Sequence, residues 1–365
     1  MKSFDCDVVV VGGGPAGSTA ARELANFGFS VVLLQKDLSF QKPCGGGVVL
    51  SAFDEFDLPK SLITKTIKKI RLISPKLQKV DVDISSHPLA IVDRLEFDST
   101  LRELAKNSGA NLIEAKAYKL QIEDSSIKVF AKNRQDEYLI KANYIIAADG
   151  VHSTIRKLHL NEKTDTILTL YTDINLPTIE HCEFYFGNMI APKSYAWVFP
   201  HAHSLNIGIC SNRNLGIQKS MQNFLKRLKI KTESKIKGYP IPNWGKELYY
   251  KDRVFYVGDS AAIVSPFTYE GIYYAMKSGH FAAQAIINKN PMLYKEYCQK
   301  SFVKKFKFLK YLQAIFLSND FMAEKMIEFY KNPKFQKSVI GYWSGKKQAV
   351  GFWGAITKVF KYLFK

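Results

Sequence analysis

The sequence predicts a mixed α/β (α+β) chain. A parallel sheet carries helices on its faces, a separate antiparallel sheet follows, and a helical region closes the chain. Three observations predict this. Residues 4–37 read FDCDVVVVGGGPAGSTAARELANFGFSVVLLQKD, a strand, a glycine turn, a helix and a second apolar strand. Residues 166–211 are rich in β-branched and aromatic side chains at period two. From Tyr294 onward the pattern is helical, with aromatic and basic residues interleaved.

Each element follows from its own chemistry. Val8–Val11 is apolar at every position, as a strand buried on both faces must be, and the βαβ unit it opens implies a parallel sheet. Residues 66–84 (TIKKIRLISPKLQKVDVDI) alternate as strands do, and this pattern extends to 92. Leu95–Lys106 has helical spacing, and Tyr144–Ala148 is a further apolar strand. Alternation over 166–211 indicates antiparallel strands. Val254–Val257 is another buried strand, leading into a glycine turn and a helix through Ile287. No internal repeat or low-complexity linker interrupts the chain.

Composition excludes several classes. The chain has 365 residues, too many for one small core, and its 47% hydrophobic and 23% charged content is that of a globular protein. No stretch reaches the length of uncharged apolar sequence that a membrane span needs, and none resembles a signal peptide. The five cysteines (Cys6, Cys44, Cys182, Cys210, Cys298) are odd in number, scattered and without CxxC spacing, so reduced thiols, no metal site and a cytoplasmic location are expected. Net charge is +19. Lysine excess spread over a solvated surface explains much of it, but residues 301–365 hold 13 lysines against Asp320, Glu324 and Glu328, a balance of +10. Such a tail suits an anionic membrane surface. Trp353, Ile356, Phe360 and Leu363 on one helical face opposite Lys347, Lys358, Lys361 and Lys365 suit an interfacial anchor, or a face packed on the protein itself.

The chemistry-bearing motifs sit at strand ends. Gly12-x-Gly14-x-x-Gly17, with Pro15 and Ala16 opening a helix, has the form of a dinucleotide fingerprint. One glycine permits the turn, one lets the backbone approach a pyrophosphate, and one lets helix and strand pack. The helix start offers N–H groups and a positive dipole to phosphates. The second strand ends in Gln35 and Lys36, where an acid for the ribose hydroxyls is usual, with Asp37 next. Asp149-Gly150, with Ser153 and Arg156 at fixed offsets, ends a later strand, and Gly258-Asp259 ends another ahead of Pro266, Gly271 and Ile272.

These three motifs, in this order, resemble the flavoprotein hydroxylase and geranylgeranyl reductase superfamily. Lys42-Pro43-Cys44-Gly45-Gly46-Gly47 and Tyr195-Ala-Trp197-Val-Phe199-Pro200 are similar to two segments of geranylgeranyl reductases, and Arg94 opens the superfamily's characteristic helix. The similarity runs from about residue 4 to 290. It implies FAD as cofactor, with Asp259 on the ribityl chain, Arg94, Asp149 and Gly150 near the cofactor, and the helix starting at Ile272 pointing its N-terminus at the isoalloxazine ring. It also implies an FAD domain at 1–165 and 251–290, with 48–92 on the substrate side. A substrate domain at 166–250 and a helical region at 291–365 complete the division.

In that setting Gly45–Gly47 leave room for a flat ring or a polyprenyl chain. Cys44 either takes part in chemistry or lines the pocket. Tyr195, Trp197 and Phe199 stand on one strand face, either as core packing or as an apolar wall for an isoprenoid. The expected activity is reduction of carbon–carbon double bonds in a polyprenyl lipid or quinone tail, with Cys44, Tyr195 and Trp197 as catalytic residues. No second glycine fingerprint is present, so NAD(P)H or another donor is expected to bind transiently. The rival readings are an aromatic monooxygenase or halogenase and a membrane-surface flavoprotein that passes electrons to quinone. Nucleic-acid work is not expected, because no recognition motif accompanies the charge.

Overall fold

Val8, Val9 and Val10 are fully buried because both faces of their strand are covered, as the unbroken apolar run requires. In the computed structural model, which describes residues 1–211, 216–245 and 247–343, this strand (Lys2–Val11) is central to an eight-stranded sheet. It pairs in parallel with Val31–Gln35 and with Glu137–Ala147. Asn111–Glu114 and Val254–Tyr256 extend the parallel sheet outward on the two sides. Ile127–Lys132 and Lys116–Ile122 add antiparallel strands.

Register is the feature that matters for function. Val11 is level with Leu34 and with Ala147, and Ala147 is level with Tyr256. The turns that follow these strands, at Gly12–Gly14, Gln35–Asp37, Ala148–Gly150 and Val257–Asp259, therefore emerge along one carboxyl edge of the sheet. That edge is where open α/β sheets bind ligands.

Helix Pro15–Asn26 packs on helix Ile272–Ile287 at backbone contact distance. A Cβ on Gly279 would stand 2.1 Å from the Ala16 carbonyl oxygen, so no larger residue fits there.

The chain forms two units. Of the described residues, the first comprises 1–44, 93–167, 240–245 and 247–310, and the second 45–92, 168–211, 216–239 and 311–343. Residues 45–92 thus belong with the antiparallel sheet, and 311–343 of the helical region belong with it too.

That sheet has seven strands, in the order Lys237–Pro242, Thr166–Ile174, Leu205–Ser211, Tyr195–Pro200, Cys182–Phe186, Lys69–Ile73 and Lys79–Asp83. Thr166–Ile174, Leu205–Ser211, Tyr195–Pro200 and Cys182–Phe186 pair antiparallel in turn, as do Lys69–Ile73 and Lys79–Asp83, whereas Cys182–Phe186 and Lys69–Ile73 run parallel. Helix Ile217–Arg227 covers one face, burying Met221 and Phe224 with Val198, Ile207 and Ile209. A small sheet joins Gly47–Val49, Leu89–Ile91 and Lys65–Ile67.

Among the described residues no helix is long and apolar enough to cross a membrane. The lysine-rich face expected over 346–365 lies outside the described residues.

Candidate active site

The glycine turn separates three functions among its residues. Gly12 adopts φ +109°, and a Cβ there would stand 2.3 Å from the Ala148 carbonyl oxygen. A Cβ on Gly17 would meet the Gly12 carbonyl at 1.9 Å, so helix and turn touch directly. Gly14 has ordinary extended backbone (φ −81°, ψ −174°), and no atom lies within 4 Å of where its Cβ would be. Steric demand inside the protein therefore explains Gly12 and Gly17 but not Gly14. An open flank at the uncapped start of a helix is the form a pyrophosphate cradle takes, so the turn fits a dinucleotide.

Buried polar groups brace this turn. Gln35 accepts from the Gly13 N–H at 2.9 Å and donates to the Asp37 carbonyl at 2.7 Å. Its amide thus shapes the turn, and each of its two polar atoms retains one further hydrogen-bonding position. Arg102, 3% exposed, donates to the carbonyls of Gly13 and Leu38. Lys36 is exposed, with its ammonium 5.2 Å from the Phe40 ring centroid.

The two aspartates take different parts. Asp149 accepts from the Ser153 hydroxyl at 2.5 Å and the Ile155 N–H at 3.0 Å, so its carboxylate fixes the start of helix Thr154–Leu160. Burial pushes its pKa up, against these hydrogen bonds. Gly150 beside it has φ +79° and open space at its Cβ position. Arg156 donates to the Ser260 carbonyl at 3.0 Å, tying the two aspartate motifs together.

Asp259 is buried and forms an ion pair with Lys42. The Ser278 hydroxyl accepts from the Gly258 N–H at 2.9 Å, fixing the turn on the helix that follows. That helix begins at Ile272 without a side-chain cap, Gly271 preceding it and Pro266 buried upstream. Arg94 is 4% exposed and grips Asp98 through Nε and Nη2. Burial alone would lower its pKa, but Asp98 and then Cys44 beside it raise it overall. Cys44 thus lies against a buried guanidinium in the first unit.

In the second unit Tyr195, Trp197 and Phe199 share a strand face, as their spacing predicts. Phe184, across from Trp197 in register, meets the Tyr195 and Phe199 rings edge-on at 5.4 Å each. The Trp197 indole N–H donates to Asn206 at 2.8 Å, and Asn206 donates to Asp173 at 2.8 Å. Its ring lies over Gly208, where a Cβ would stand 2.2 Å from the ring.

The glycine segment departs from its expected purpose on one side. Cβ atoms on Gly45 and Gly47 would meet the Phe199 ring at 2.8 and 3.3 Å, and one on Gly46 would meet the Val92 carbonyl at 2.5 Å. These glycines admit the protein's own Phe199 and Val92 there, rather than a prenyl chain. Sequence reasoning missed Lys42, Arg102, Asn206 and Gly208. Only the position of Lys42, two residues before Cys44, carried a signal.

Residues 5–180 match the FAD binding domain family and residues 165–241 match the geranylgeranyl reductase catalytic domain. A geranylgeranyl diphosphate reductase from Synechocystis sp. is 30% identical, covering 90% of each chain. A digeranylgeranylglycerophospholipid reductase from Methanocaldococcus jannaschii is 32% identical over 76% of each. The crystal structure of a geranylgeranyl bacteriochlorophyll reductase-like protein from Thermoplasma acidophilum superposes with a TM-score of 0.81 at 24% identity, covering 93% of this chain and 96% of that one. The chain belongs to the geranylgeranyl reductase family and is an FAD-dependent oxidoreductase.

Proposed function

We propose that the chain saturates carbon–carbon double bonds in a polyprenyl group borne by a lipid or a quinone. The observation that carries this reading is the match of residues 165–241 to the geranylgeranyl reductase catalytic domain, since that stretch contains the aromatic strand Tyr195–Pro200. Bound at this site, reduced FAD would supply the hydride equivalent for one alkene carbon, with a proton from water or a side chain needed at the other.

The residues divide the remaining work. Gly12, Gly14 and Gly17, with Pro15 and Ala16, receive the pyrophosphate at the helix start. Gln35 and Lys36 face the adenosine end. Asp259 holds the ribityl chain, with Arg94, Asp149 and Gly150 shaping the surrounding cradle and Gly258, Pro266 and Gly271 setting the backbone beside it. The N-terminus at Ile272 places a positive dipole where negative charge gathers on reduction. Tyr195 and Trp197 form the apolar wall for the isoprenoid, and Gly45 and Gly46 let their own backbone pass close to Phe199 and Val92. Cys44, beside Arg94, lies at the reacting end.

NAD(P)H or another reductant acts transiently, and the enzyme works peripherally on the cytoplasmic face of a membrane, where polyprenyl substrates reside. The test is an anaerobic incubation of dithionite-reduced holoenzyme with geranylgeranyl-bearing lipids, read by mass spectrometry. A gain of two hydrogens per reduced bond is expected. No gain under anaerobic conditions, with hydroxylation once oxygen is admitted, would overturn the reading in favour of a monooxygenase.

A further inference from the structure

Alternation along a strand puts Tyr195, Trp197 and Phe199 on one face of the seven-stranded sheet and Val198 on the other. Val198, Ile207 and Ile209 pack with helix Ile217–Arg227, so the aromatic triplet faces away from that helix. Residues level with one another in neighbouring strands share a face. Trp197 is level with Gly208, Phe199 with Asn206, and Asn206 with Asp173. A polar row therefore crosses the same face as the aromatic strand.

The bonds in this row run one way. An indole N–H can only donate and a carboxylate can only accept. Asn206, 2% exposed, lies between the two kinds of group. Its Oδ1 accepts the Trp197 N–H at 2.8 Å, and its Nδ2 donates to Asp173 Oδ1 at 2.8 Å. Turning the amide over would set N–H against N–H and carbonyl against carboxylate, so both ends forbid it. The second oxygen of Asp173 faces the Lys237 ammonium at 3.9 Å. The Asp173 side chain is 46% exposed. A carboxylate at the edge of water thus fixes a buried amide, and the amide fixes the pitch of a ring that lies across Gly208.

We infer that Asp173 and Asn206 are positioning residues that hold Trp197 and thereby set the register of the prenyl chain. The inference deepens the proposed function and rests on its assignment of Trp197 to the isoprenoid wall. A polyprenyl chain is a series of like isoprene units with no polar group along it. Hydrogen bonds to the chain cannot decide which alkene carbon lies at the reacting point. Shape must decide it, and a wall whose pitch drifts presents the wrong carbons.

The test uses full-length, dithionite-reduced holoenzyme with a geranylgeranyl lipid in detergent. Turnover gives kcat and KM, and mass spectrometry gives the ratio of partly to fully reduced product. Asn206→Asp still accepts the indole N–H but sets a second carboxylate against Asp173, so the relay breaks. We expect kcat/KM to fall roughly tenfold and the product ratio to shift, with flavin content unchanged. The double variant Asp173→Asn, Asn206→Asp restores the row, because the amide now at position 173 donates to the carboxylate at 206. Its kcat/KM should return to within about threefold of wild type, with the wild-type product ratio. If Asn206→Asp does not fold, Asp173→Ala, a change at a half-exposed side chain, carries the test. It frees the amide, and a fall in kcat/KM of about threefold with a shifted product ratio is expected. Wild-type kinetics and products in the single variants would overturn the inference. So would a lowered melting temperature with unchanged turnover per flavin, which marks bonds that only stabilise the sheet. A double variant as impaired as Asn206→Asp would overturn it too. Failure of the proposed function appears separately, as a wild type that reduces no prenyl lipid, and it takes this inference with it.

Discussion

Lys42 is the residue whose role the structure changes most. Its ammonium pairs with Asp259, the carboxylate assigned to the ribityl chain, 217 positions away in sequence. A cation held there favours negative charge on the reduced flavin more than it favours the neutral oxidised form. Lys42→Met should therefore weaken binding of reduced FAD about tenfold more than that of oxidised FAD, which lowers the two-electron potential by about 30 mV. Dye-equilibration spectroscopy and fluorimetric FAD titration measure both quantities. An equal loss in the two redox states would mean that Lys42 only braces Asp259.

Trp197 supplies a second residue-scale test. Its ring occupies the space beside Gly208, so Gly208→Ala forces the ring to move, and Asn206 no longer receives the indole N–H at its present 2.8 Å. We predict retained FAD, because the change lies in the second unit, with a raised KM for the prenyl substrate. Unchanged kinetics would remove Trp197 from the substrate wall.

At this scale the sequence was partly legible. Gly14, Asp259 and the aromatic triplet stand out in the sequence because each belongs to a short, regular spacing. Arg102 and Asn206 do not, and Lys42 does only by its place two residues before Cys44, because their meaning lies in partners that only the tertiary fold supplies.

Among the elements, the first helix and its turn are the most legible, since strand, glycines and helix are contiguous in sequence. They also permit a clean contrast between two glycines. Gly14 has backbone any residue adopts and no neighbour at its Cβ position, so Gly14→Ala should leave apoprotein stability within roughly 0.5 kcal/mol. FAD affinity should nonetheless fall tenfold or more, because the methyl enters the space assigned to the pyrophosphate. Gly279→Ala should act in the opposite sense. Its Cβ would press on the Ala16 backbone, the two helices must separate, and overpacking of this kind costs about 1–3 kcal/mol. Thermal melts of both apoproteins, alongside FAD titration, check the pair. If Gly14→Ala keeps wild-type affinity, the turn does not carry the phosphates.

The strands at 69–73 and 79–83 show the limit of reading elements from sequence. Alternation revealed them as strands, but nothing local specifies that Ile70 pairs with Cys182 in parallel, across more than a hundred residues of chain. Pairing over such a distance is decided by the assembled sheet.

At the scale of the molecule, the first unit is built from three stretches of chain, 1–44, 93–167 and 240–310, and each contributes a turn to the carboxyl edge of its sheet. The glycine turn comes from the first, Asp149-Gly150 from the second and Gly258-Asp259 from the third. A cofactor bound along that edge links stretches that are distant in sequence. Its binding energy therefore adds to the stability of the unit as a whole, by about 2.7 kcal/mol at a hundredfold excess over Kd. The second unit has its own core around Ile207, Ile209 and Phe224, which no cofactor residue enters. Removing FAD should consequently speed amide exchange in Lys2–Val11, Glu137–Ala147 and Val254–Tyr256 together, while Leu205–Ser211 keeps its protection. Hydrogen-exchange mass spectrometry of holoenzyme and apoprotein reads this directly. Protection lost only around Gly12–Gly17 would show that FAD rests on the glycine turn alone. Loss spread evenly through both units would show that the molecule unfolds as one cooperative body and that the cofactor stabilises all of it.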